Sequence, residues 1–86
     1  MPILDYASQT AQNVRVTYAD MPRGTEVVFV NSTTGTKTAS QSNALRNGGN
    51  GSTDIPIDPT LPAAGYYLLA QGPEGQYLAQ TVTFYI

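Results

Sequence analysis

The sequence predicts an all-β fold: a sandwich of two antiparallel sheets built from six or seven short strands, with no significant helix. Three observations carry this expectation. No window keeps a 3.6-residue apolar period, and Gly, Pro or Asx interrupts every stretch longer than about ten residues, so "SNALR" (Ser42 to Arg46) makes one helical turn at most. Short runs of β-branched and aromatic residues alternate with turn residues along the whole chain. Finally, the 86 residues include no cysteine and no histidine. Neither a disulfide framework nor a Cys/His zinc site can support the fold, and one domain must rest on packing alone.

Residues 1–12 read as an N-terminal arm or edge strand, containing "ILDY", and 13–86 as the sandwich proper. "NVRVTYA" alternates, with Val14, Val16 and Tyr18 on one side and Arg15 and Thr17 on the other, as in a strand with one wet face. "MPRG" (Met21 to Gly24) has Pro and Gly where a tight turn needs them. "TEVVFVN" follows with both faces apolar: Val27 and Phe29 on one, Val28 and Val30 on the other. Ser32 to Ser52 is polar and glycine-rich and reads as a loop around one poor edge strand near Lys37 to Gln41. In "STDIPIDP" Ile55 and Ile57 point inward, and the proline between them marks an edge strand. "TLPAAG" is a crossover, "YYLLAQ" a strand and "GPEG" (Gly72 to Gly75) a turn. "QYLAQTVTFYI" is the last and longest strand, with Leu78, Val82, Phe84 and Ile86 on one side.

Composition narrows function. Four basic residues (Arg15, Arg23, Lys37 and Arg46) are scattered against six acidic ones, so no basic face exists for nucleic acid or anionic lipid. Charged residues make up 12%, about half the usual ~25%. In their place stand 11 Thr, 5 Ser, 5 Asn and 6 Gln. The start of the chain has no basic region or apolar run of signal-peptide length, and no segment approaches a membrane span. If Met1 is the natural start, the expectation is synthesis and assembly in the cytosol.

At "DPTLPAAGYYLLA" (Asp58 to Ala70) the chain resembles the corner that opens the sixth strand of immunoglobulin-like and fibronectin-type-III-like sandwiches. The resemblance implies that Tyr66 bonds its hydroxyl to backbone upstream, that Leu68 and Val16 replace the inter-sheet cysteines, and that Phe29 takes the place of the core tryptophan. A fibronectin-like count from Leu61 gives the corner role to Tyr67 instead. The same topology puts the strands of Phe29 and Leu68 in one sheet with the last strand, while the first, second and Ile55 strands form the other.

That arrangement leaves Val28, Val30, Tyr67, Leu69, Tyr77 and Tyr85, with Ala79, on an outer face. A contiguous exposed apolar patch on a soluble protein marks an interaction surface. Either the chain covers this face itself, through Ile3, Leu4 and Tyr6 of the arm or through Leu45, or another protein does. The candidate interface is therefore Val28, Val30, Tyr67, Leu69, Tyr77, Tyr85, Ile3, Leu4 and Tyr6.

Catalysis has little material. Histidine triads and thiolates are excluded, and the carboxylate pairs Asp54 with Asp58 and Asp20 with Glu26 read as solvated turns. "RNGGNGSTD" lacks the following helix of a phosphate loop and the carboxylates of a calcium loop, so no cofactor or metal is expected. "NST" at Asn31 and "NGS" at Asn50 match the short N-glycosylation pattern. The expectation is a non-catalytic structural or binding module. It resembles, in size and habit, the decoration proteins that bacteriophages assemble onto capsids in the host cytoplasm, and its partner would be a capsid or a second copy. The alternative is a carbohydrate-binding or adhesive module of a larger extracellular bacterial protein, with exposed tyrosines against a glycan.

Overall fold

The computed structural model describes the backbone of residues 1–86 and the side chains of all but 39–41. Eight strands follow one another: β1 (Ile3–Gln9), β2 (Asn13–Met21), β3 (Glu26–Asn31), β4 (Lys37–Ser42), β5 (Gly49–Pro56), β6 (Gly65–Gln71), β7 (Tyr77–Gln80) and β8 (Phe84–Tyr85). They form two antiparallel sheets, one ordered β1-β2-β5 and the other β4-β3-β6-β7, with β8 pairing β6 beyond β7. No helix occurs among the described residues. The strands of Phe29 and Leu68 are neighbours, and these two residues are direct cross-strand partners.

The core lies between the sheets. Val14 and Val16 of β2, Ile55 of β5, Val27 and Phe29 of β3, Tyr66, Leu68 and Ala70 of β6 and Phe84 of β8 are all buried there. In β2 the alternation places Val14 and Val16 inward. Outward, Arg15 lies opposite Asp54, with Nε 3.1 Å from Oδ1. Burying one Val or Leu is worth roughly 1.5–3 kcal/mol, so this single layer supplies most of the cohesion of a disulfide-free domain.

Of the two candidates, Tyr66 makes the upstream bond: its hydroxyl donates to the carbonyl of Pro62 at 2.8 Å, and its ring meets Phe29 edge-on at 6.3 Å. The alternative, Tyr67, points outward and is half-buried.

Two expectations need correction. The loop read as far as Ser52 ends earlier, because β5 starts at Gly49. Gly51 fits in the sheet because Tyr18, opposite it, lays its ring over the space a side chain would occupy, within 3.2 Å of where a Cβ would sit. An aromatic neighbour restores the contact surface that glycine lacks.

The second correction concerns the last strand, which is neither continuous nor the longest; β2, with nine residues, is longer. It breaks into β7 and β8 because the register against β6 slips by one residue between Leu69↔Gln80 and Tyr66↔Phe84. Thr81 fills the slip: its amide donates to the carbonyl of Leu68 at 3.0 Å, and its hydroxyl accepts from the Leu68 amide at 3.0 Å. A side chain thus replaces one rung of the ladder, as at a β-bulge. Ala79 and Thr81 face inward in the first half, Phe84 in the second, and Val82, expected inward, is 70% exposed.

The two long sides of the sandwich differ. On one, β1 closes against β7 and β8: Tyr6 stacks on Phe84 with centroids 5.2 Å apart, and the Gln9 side-chain amide donates to the Tyr85 carbonyl at 2.7 Å. The other side lies between the edge strands β4 and β5.

Candidate interaction surface

Of the nine residues expected at an interface, four are already buried by the chain. Val28 and Val30 are 1% exposed and Leu69 7%, and they form a second apolar cluster with Tyr67 packed against it. This cluster sits on the outward side of β3 and β6, opposite in phase to Phe29 and Leu68. Leu4 belongs to the inner core instead.

Neither expected cover lies over the outer cluster. Leu4 and Leu45 are both buried between the sheets, and Tyr6 packs there too. A strap from the sheet itself crosses the face: Lys37, opposite Val30 on β4, donates its ammonium to the Gln71 side-chain carbonyl on β6 at 3.5 Å. Since β3 lies between β4 and β6, the Lys37 stem must pass over it. Long basic side chains cover apolar surface in this way while their charged ends stay hydrated or hydrogen-bonded.

The exposed large apolar residues are elsewhere. They are Met1, Ile3, Tyr77, Val82 and Tyr85 among the described residues, and all five belong to the first and last stretches of the chain: Ile3 faces outward on β1, opposite Ala19, and Tyr77 and Tyr85 lie on β7 and β8. Tyr77 is 63% and Tyr85 75% exposed. Tyr77 lies opposite Gln71 and Tyr85 opposite Gly65, so along β6 they stand about 20 Å apart at 3.3 Å per residue. The Tyr85 ring rests on Gly65, where a Cβ would come within 3.1 Å of it. Of the predicted interface, Ile3, Tyr77 and Tyr85 are thus exposed, and Tyr6 and Tyr67 are half-buried.

Sequence reasoning missed the open side. Along it run two adjoining depressions of about 610 and 450 Å³, the first floored by Val27, Phe29 and Ile55, the second reaching Tyr66. The floor residues are almost wholly covered already, which makes both shallow. Only the absence of a strand between Gly49–Pro56 and Lys37–Ser42 could have signalled them, and that is a tertiary property.

The carboxylates are engaged separately. Asp54 pairs with Arg15, Asp58 accepts from the amide and hydroxyl of Thr60 at 2.8 and 2.6 Å, and Asp20 lies 3.5 Å from the amino group of Met1. No cluster of three or more potential metal ligands occurs among the described residues. Compared with protein families, with curated proteins and with solved structures, the chain gives no significant match.

Proposed function

We propose that this domain is a non-catalytic attachment module that docks onto a protein assembly through the side formed by its first and last strands. The observation that carries the reading is that the exposed residues Ile3, Tyr77, Val82 and Tyr85 all belong to β1, β7, β8 and the link between the last two, the strands that meet along one edge of the sandwich, while other apolar clusters are covered. Exposed tyrosines tolerate water until a partner arrives, because the ring adds apolar contact and the hydroxyl keeps its hydration. The assembly we favour is a capsid surface. A cysteine-free sandwich folds without an oxidising compartment, and a charge of −2 over 86 residues gives little long-range repulsion against a large partner.

The test is fractionation. A tagged copy expressed in its source cell should sediment with a large particle, and the double variant Tyr77→Ser/Tyr85→Ser should return to the small-protein fractions while staying folded. Wild-type protein found only as free small protein would overturn the reading.

A carbohydrate-binding role has one observation in its favour, the two exposed tyrosine rings. Their separation allows each to stack on a sugar only singly, which suits an extended glycan rather than a single residue. Saturable glycan binding lost on replacing either tyrosine would favour this reading over attachment to protein.

A further inference from the structure

We infer that Asn47 is a self-modifying site, converting by way of a succinimide to aspartate and isoaspartate, and that the fold protects the neighbouring Asn50 from the same reaction. Both asparagines are exposed and both precede glycine. In the reaction the backbone nitrogen of the following residue gives its proton to solvent base and attacks the side-chain carbonyl carbon. The bond to the side-chain nitrogen breaks and ammonia leaves. Water then opens the ring at either carbonyl, restoring a normal aspartate or routing the main chain through Cβ. One ammonia leaves and one water enters, with no redox partner. Glycine permits the attack because it has no Cβ to obstruct it and imposes the fewest limits on φ and ψ.

The two sites differ in how the backbone is held. Asn50 lies within β5, where Gly51 pairs with Tyr18, and its side-chain oxygen accepts from the Asp20 amide at 2.8 Å. That contact caps the amide of a non-glycine residue at φ 53°. Ring closure at Asn50 therefore requires strand pairing and cap to open together. Asn47 sits in the turn before β5, where the Gly48 amide makes a single bond, to the Leu45 carbonyl at 2.9 Å. Opening a surface turn costs much less than unzipping a strand.

The vulnerable glycine is obligatory. Gly48 has φ 68°, and a Cβ there would lie 2.4 Å from the Met21 carbonyl oxygen. The close approach that lets this turn dock on Met21 and Pro22 also keeps an Asn-Gly pair at its tip. The same turn carries Leu45 into the inner core, and its Arg46 carbonyl accepts from the Gly24 amide at 2.8 Å. An isoaspartate adds one atom to the main chain between this anchor and β5, whereas a normal aspartate adds only charge.

Folded protein held at mildly alkaline pH and body temperature, then digested and fragmented in a mass spectrometer, reads the conversion at each asparagine. Asn47 should convert faster than Asn50 by roughly tenfold or more, a difference equivalent to about 1.4 kcal/mol of extra opening cost. In urea-unfolded chain the two should convert at comparable rates. The isoaspartate fraction should melt below the Asn47→Asp variant. Equal rates in the folded protein, or an intact Asn47 that converts only once unfolded, would overturn the assignment. An isoaspartate form melting with Asn47→Asp would overturn its link to Leu45.

Discussion

The Tyr66 hydroxyl and the Pro62 carbonyl lie 2.8 Å apart, bridging the crossover and the start of β6 with a bond between a buried ring and the backbone four residues upstream. Tyr66→Phe keeps the ring against Phe29 and removes only this bond. Pro62 is exposed, so water can take over its carbonyl, and the loss should be that of one net hydrogen bond, about 0.5–1.5 kcal/mol. Urea denaturation should show a lower midpoint with an unchanged slope, and Tyr67→Phe, measured alongside, should change neither.

Thr81→Val is nearly isosteric and would pass for conservative in a strand. Here it removes the acceptor of the buried Leu68 amide, so a loss of about 1–3 kcal/mol is expected. Hydrogen exchange should localise it, with the Leu68 amide losing protection before the rest of β6.

Leu69→Asp should prevent folding, because it places a carboxylate within the buried Val28, Val30 and Leu69 cluster, where the one ammonium crossing the face, that of Lys37, is held by Gln71 and the remaining surroundings are apolar. Circular dichroism of the purified variant checks this. A folded variant with changed association state would show instead that the outer cluster opens to partners.

Lys37→Ala removes the stem that crosses β3 while leaving the inner core intact. The variant should stay folded, lose about 1 kcal/mol or less of stability through exposure of methyl and methylene groups, and bind a hydrophobic dye more strongly than wild type. Lys37→Met, which keeps much of the stem, should restore most of the wild-type dye response.

Leu68→Ala should cost about 2–5 kcal/mol by opening a cavity in the layer between the sheets. Val82→Ser, which the alternation of the last strand would make equally damaging, should fall within about 0.5 kcal/mol of wild type because the residue faces water. Thermal melts of the two together test where the bulge places the chain.

These contrasts show what local sequence carries. The pairing of Phe29 with Leu68 was legible because each lies in a run apolar on both faces, and such runs belong in the middle of a sheet. That a tyrosine at the start of this strand would bond back to the crossover was legible, but the choice between Tyr66 and Tyr67 rested on which of the two reaches the Pro62 carbonyl, a relation of the folded crossover. Thr81 was illegible: an alternating pattern reads a threonine between apolar residues as polar and outward, and nothing nearby announces that its hydroxyl replaces a ladder rung. Gly49 to Gly51 read as a turn because glycine and asparagine favour turns, until Tyr18 on another strand supplies the missing surface. Over Val28, Val30 and Leu69 the Lys37 ammonium meets Gln71, 34 positions away, and no local pattern encodes such a meeting.

The closure of β1 against β7 and β8 has a mechanical consequence. Tyr6 meets Phe84 and Gln9 meets Tyr85, so the first and last strands run the same way along their shared seam. A pull applied at the two ends of the chain therefore drags these strands past each other lengthwise, loading the stacked rings and the amide bond all at once rather than peeling them in turn. A domain tethered through its ends would resist tension as a shear joint.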